Sequence, residues 1–220
     1  MASNGCDNAK LQLSIVPLDD TDCVERLPLT DAGDRADWQR IRQPQRRRLF
    51  QFRRSAQLAL LSRSHGNATI LRDPDRHIRA LLEGGLRRHV STSASGPVCA
   101  TAVCDRPVGI DIERSCGRSD LRALLNFLGF PGAAALASLP PGIARFEACM
   151  AWTRLEAGLK RAGRGIHDHI AGGRPFPAGE DNVRILASFD WVCAVAHEGE
   201  PIEIATSLTD FETLCGSVPQ

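Results

Sequence analysis

A chain of 220 residues that is 43% hydrophobic and 24% charged, with 27 basic against 26 acidic side chains and a net charge of +1, can bury an ordinary core without a disulfide or metal staple. The near balance of charge argues against nucleic acid as a partner, since a coat for DNA or RNA needs a strongly basic face. No run approaches the ~18 apolar residues of a membrane span, and the opening MASNGCDNAKLQ lacks an apolar core of signal-peptide length, so the expected compartment is the cytoplasm. There the eight cysteines are expected to stay reduced; no pair has CxxC spacing, and Cys99, Cys104, Cys149 and Cys193 sit in apolar surroundings. Lys10 and Lys160 are the only lysines, the other 25 basic residues being arginine.

In chain order, Leu11 to Leu18 alternates as a strand, with Leu11, Leu13 and Ile15 on one face. From Asp34 to Arg63 the period becomes helical and is broken at Pro44, with Leu49, Phe52, Ala56, Ala59 and Leu60 on the apolar side and arginines opposite. Ser91 to Gly96 is small and polar. Val98 to Cys104 and Val108 to Ile112 read as two strands of a hairpin around Asp105-Arg106-Pro107. Helices follow over Ser119 to Leu128 and Ile143 to Arg161, separated by a Gly- and Pro-containing stretch, and strands are predicted within Val183 to Ala196 and over Pro201 to Ala205. This order predicts an α+β fold of two similar halves, residues 1–105 and 106–220, the second carrying the chemistry.

Two features carry that chemistry. In Gly109-Ile110-Asp111-Ile112-Glu113 strand alternation turns Ile110 and Ile112 to the core and sets Asp111 and Glu113 together on the other, exposed face. Like charges so close gain nothing for folding, whereas a hard cation such as Mg2+ compensates them. On the helix, Trp152, Glu156 and Lys160 follow at i, i+4, i+8, and Gly163-Arg164-Gly165 ends it. Each feature also has a plain structural reading, a polar strand face and an exposed Glu-Lys pair. Brought close together, a third carboxylate and a lysine beside the acidic strand would make a site for a diphosphate and its metal.

These segments resemble the 4'-phosphopantetheinyl transferases of the Sfp type. The family's acidic strand appears as Val108-Gly109-Ile110-Asp111-Ile112-Glu113, preceded by Pro107, and its Trp-x-x-Lys-Glu-Ala-x-x-Lys helix as Trp152-Thr153-Arg154-Leu155-Glu156-Ala157-Gly158-Leu159-Lys160. Phe50 and Arg54 resemble its arginine-bearing helix. The resemblance implies a pseudodimer of two α+β halves working as a monomer. It also implies that Asp111, Glu113 and Glu156 coordinate Mg2+ together with the diphosphate of coenzyme A, and that Glu156 or a bound water deprotonates the serine of an acyl or peptidyl carrier protein. Lys160 would bind the coenzyme A phosphate and stabilise it as 3',5'-ADP leaves.

Leu155 stands where the family has a lysine, and Ala94, within Ser93-Ala94-Ser95-Gly96, where it has a histidine that contacts coenzyme A phosphate. Ser93 and Ser95 can still hold phosphate oxygens. On those two departures rests the alternative expectation, a weakened or inactive member that binds coenzyme A or a carrier protein. The cluster Arg46-Arg47-Arg48 with Arg53 and Arg54 reads as a solvated helix face, as a grip on the 3'-phosphate through Arg47 and Arg54, or as a nucleic-acid patch, which the near-neutral charge disfavours. His167 and His169 lack a third ligand at zinc spacing.

Overall fold

A computed structural model describes residues 10–17, 29, 31–72, 78–82, 85–96, 98–115, 120–171, 183–188, 190–199 and 203–208. The chain runs β1 (Lys10–Pro17), α1 (Ala32–Arg40), α2 (Pro44–His65), β2 (Ala68–Arg72), β3 (Ile78–Leu82), β4 (Arg87–Ser95), β5 (Val98–Cys104), β6 (Val108–Arg114), α3 (Leu121–Phe127), α4 (Ala133–Ala137), α5 (Pro141–Arg161), α6 (Ile166–Ala171), β7 (Val183–Ala187), β8 (Trp191–His197) and β9 (Glu203–Leu208). The fold is mixed α+β with two sheets, one ordered β2-β3-β4-β5-β1-β9 and the other β6-β8-β7. No helix among the described residues is long and apolar enough to cross a membrane.

Apolar alternation stacks the two sheets. Leu11, Leu13 and Ile15 of β1 and Ala100 and Ala102 of β5 face Ile110 and Ile112 of β6 and Cys193 and Val195 of β8 in one buried cluster. Helix α2 covers the far side of the larger sheet through Leu60 and Leu61 against Ile70, Ala80, Val90 and Val103. Helices α3 and α5 cover the smaller one through Leu125, Trp152 and Leu155 with Val192. Pro44 and Pro141 open α2 and α5 at their first positions, where a missing N–H costs nothing. Asp31 caps α1, its side chain accepting from the backbone N–H of Asp34 at 2.8 Å.

The strand at Leu11, the helix break at Pro44 and the alternation after Val183 agree with the sequence reading, while Leu18, Pro201 and Cys6, Cys23, Cys116 and Cys215 lie outside the described residues. The hairpin of Val98–Cys104 with Val108–Ile112 does not form. β5 is paired antiparallel with β4 on one edge and β1 on the other, so it has no edge left for β6, which joins β8 instead. The polar stretch from Ser91 is strand too, continuing β4 to Ser95. β9 returns from the end of the chain to lie parallel to β1, Leu13 opposite Thr206, so the larger sheet holds strands from before and after residue 106. Arg54 departs from the solvated arginine face: it is only 8% exposed.

Gly109 sets the distance between the second sheet and its helix. A Cβ there would overlap the carbonyl oxygen of Ala157 and the backbone nitrogen of Arg161, both in the last turns of α5. Ala157 packs on Ala194 and Ala196 of β8, so small side chains line this contact on both sides. Gly109→Ala is therefore expected to destabilise the protein by about 3 kcal/mol, since overpacking against backbone has no flexible group to give way. Gly158→Ala, whose Cβ would meet nothing within 4 Å, is expected to add roughly 0.5–1 kcal/mol of helix stability. Urea unfolding of both variants checks the opposite signs.

Candidate active site

The site lies where three elements meet: the edge of β6 not taken by β8, the serine-rich end of β4, and the last turns of α5. Side chains of β4 do for that edge what a neighbouring strand would do. Ser91 Oγ accepts from the backbone N–H of Ile110 at 3.0 Å, and Ser95 Oγ accepts from that of Arg114 at 3.2 Å. Between and beside these rungs Ser93 Oγ donates to Asp111 Oδ1 at 2.7 Å and Ser95 Oγ donates to Glu113 Oε2 at 2.6 Å.

From the helix, Lys160 Nζ donates to the same Asp111 Oδ1 at 2.7 Å and to Ser93 Oγ at 3.1 Å, and lies 3.8 Å from Glu156 Oε2, one turn back. The helix stops just beyond. Gly163 takes φ 66°, its N–H donates to the Lys160 carbonyl at 3.1 Å, and the Arg164 N–H donates to that of Leu159 at 2.8 Å. That pair of bonds is a Schellman stop. The predicted residues Ser93, Ser95, Asp111, Glu113, Glu156 and Lys160 are thus brought together by three separate elements.

The exposed face expected for Asp111 and Glu113 is corrected in part. Asp111 is 4% exposed, because Gly109 lets α5 close over that face of β6. Its Oδ2 is buried with no hydrogen-bond partner. A buried, unpartnered carboxylate oxygen is costly unless a further ligand meets it. With Glu113 and Glu156 nearby the donor set is all oxygen, which fits a hard cation such as Mg2+. Among the described residues no three His, Cys, Asp or Glu side chains are already grouped as a metal centre.

Leu155, at 1% exposure, packs into the core between α3 and α5 and does not face these carboxylates. Arg47 donates to the carbonyls of Ile41 and, at 3.2 Å, Gln39, and stacks over Trp38. Arg54 pairs with buried Asp34 at 2.8 Å and donates to Gln57 Oε1 at 2.7 Å, and Gln57 Nε2 donates to Thr92 Oγ1 at 2.7 Å. Both arginines thus brace α1 and α2, and Arg54 braces β4 through Gln57. Arg53, read from the sequence as part of the arginine cluster, donates to the Ala94 carbonyl at 3.5 Å. The sequence reading also missed Ser91, although the strand period in Ser91-x-Ser93-x-Ser95 puts all three hydroxyls on one face.

A scan against protein-family models matched none. A search of curated proteins found no match either.

Four described cysteines, Cys99, Cys104, Cys149 and Cys193, are free and buried. Burial pushes the Cys99 thiol up to about 12 against the pull of Arg53. Burial, then the negative charges of Glu113 and Asp111, push Cys149 up to about 12. Thiolate is the reactive form. At pH 8 peptides containing Cys99 and Cys149 should therefore alkylate ~100-fold more slowly in the native protein than in urea, as read by peptide mass spectrometry.

Proposed function

We propose that this chain is a Mg2+-dependent transferase that moves 4'-phosphopantetheine from coenzyme A to a serine of an acyl or peptidyl carrier protein. One observation carries the reading: Lys160 sits on Asp111 and Ser93, with Glu156 beside it, at 2.7, 3.1 and 3.8 Å. Added to the two sequence motifs, this is a cation and acids gathered at one point, with a carboxylate oxygen of Asp111 still unpartnered.

The transfer forms one bond from the serine oxygen to phosphorus and breaks the bond from that phosphorus to the oxygen of 3',5'-ADP. The serine proton needs an acceptor, and the half-buried Glu156 carboxylate or a bound water would provide one. Negative charge builds on the phosphate and leaving oxygens, and the Lys160 ammonium would offset it. Asp111, Glu113 and Glu156 would hold Mg2+, which when bound supplies charge neutralisation for the diphosphate. Under this reading the halves on either side of residue 106 form a pseudodimer that shares one core between its two stacked sheets, acting as a monomer in the cytoplasm. The second reading, a weakened member that binds coenzyme A or a carrier protein, rests on Ala94 alone, because Leu155 belongs to the core.

Incubation with coenzyme A, Mg2+ and apo-carrier proteins is expected to add the phosphopantetheine mass to a carrier; no gain on any of several carriers sinks the enzyme reading. In that assay Asp111→Asn, close in shape, is expected to cut turnover about 100-fold or more with an unchanged circular dichroism spectrum. Lys160→Arg should also lose roughly 100-fold in kcat, because a planar guanidinium cannot take the place of a compact ammonium. Near-parental rates in both would show the reacting phosphate lies elsewhere.

A further inference from the structure

We propose that Ser93 and Ser95 are positioning residues, whose hydroxyls aim the Asp111 and Glu113 carboxylates at a divalent cation and do not hold substrate phosphate. What the carboxylates serve rests on the transferase reading; the aiming itself rests on the bonds. A serine hydroxyl has one proton to give. Ser93 spends it on Asp111 Oδ1 at 2.7 Å and Ser95 on Glu113 Oε2 at 2.6 Å. Their accepting sides are used as well, Ser93 by Lys160 at 3.1 Å and Ser95 by the Arg114 N–H at 3.2 Å. A phosphate oxygen only accepts, so either serine could reach one only by releasing its carboxylate.

The spacing makes the aim collective. Residues two apart on β4 meet residues two apart on β6, and the rungs at Ser91–Ile110 and Ser95–Arg114 lock the strands in that register. With Oδ1 of Asp111 held by Ser93 and Lys160, its second oxygen is the one left without a partner. Ser91 belongs to the ladder but bonds a backbone N–H, which makes it the internal control.

The experiment is titration of the full chain with Mn2+, without coenzyme A, followed by electron paramagnetic resonance. Ser93→Ala and Ser95→Ala should each weaken Mn2+ binding about tenfold or more, the usual effect of removing a group that orients a metal ligand. Ser95→Thr, which keeps the hydroxyl, should stay within about threefold. Ser91→Ala, which removes a rung but no carboxylate contact, should lower Tm and weaken Mn2+ binding less than either Ser93→Ala or Ser95→Ala. Alanine variants within twofold of the parent would overturn the proposal. So would lost coenzyme A affinity at unchanged Mn2+ affinity, which would make the serines phosphate contacts. A parent that binds no Mn2+ removes both the metal part of the transferase reading and the ladder's role. Serine-dependent Mn2+ binding in a protein that modifies no carrier supports the ladder and removes only the transferase reading.

Discussion

The approach of α5 to β6 at Gly109 is the constraint on which the rest depends. A glycine there lets the helix backbone lie directly on the strand, with Ala157, Ala194 and Ala196 extending the contact as a patch of small side chains. One turn of helix rises ~5.4 Å and the strand ~3.4 Å per residue, so residues a short way beyond the contact on each element remain within side-chain reach of each other. Lys160 meets Asp111 for that reason. A side chain at 109 would hold α5 off the sheet and withdraw the ammonium from the carboxylate it neutralises.

That arrangement is expensive for folding. Burying Asp111 at 4% exposure gives up much of its hydration, and the Lys160 contact with the Ser93 hydrogen bond returns only part of the loss while Oδ2 has no partner. The core around it has no need of charge: Ile110 and Ile112, alternating with Asp111 on the same strand, seal the stacked sheets without polar groups. Across the larger sheet a second buried pair, Arg54 with Asp34, continues through Gln57 to Thr92, next to Ser93. This chain of contacts holds β4 from one side while the serines on its other side reach β6. The buried, partly unpartnered charge is thus confined to the site, with β4 hydrogen-bonded on both of its faces.

Much of this was legible in the sequence, for physical reasons that can be named. Leu11, Leu13 and Ile15 alternate because one face of β1 is core, and Pro44 breaks the helical period because proline suits a helix start. The acids, Glu156 and Lys160 were readable because spacing on a strand and on a helix fixes which side chains share a face. The partner of β6 was not, and a hairpin with β5 was expected instead, because Asp105-Arg106-Pro107 encodes a reversal without encoding which edge the next strand meets, and β5 already had two partners. Strand β4 was hidden by its serines, polar residues whose partners are an edge of β6 that exists only in the folded molecule. The burial of Asp111 was hidden likewise, since it follows from where Ala157 lies relative to Gly109. The burial of Arg54 depends on Asp34 across the turn between α1 and α2, a pairing that no local period contains.

The use of lysine at 160, in a chain that otherwise relies almost wholly on arginine, follows from the shape of the place it fills. Asp111 Oδ1 and Ser93 Oγ are themselves hydrogen-bonded at 2.7 Å, and Nζ closes the triangle at 2.7 and 3.1 Å. A tetrahedral ammonium can point two protons into so narrow a pair of acceptors and keep a third donor turned outward toward Glu156. A guanidinium spreads its donors over a planar fork suited to a carboxylate's two oxygens. Here one of those oxygens is engaged with a serine and the other is unpartnered. A fork satisfied by both would also occupy the buried Oδ2, whereas the single-point contact of the ammonium leaves that oxygen without a hydrogen-bond partner. The lysine is therefore matched to the ladder beneath it.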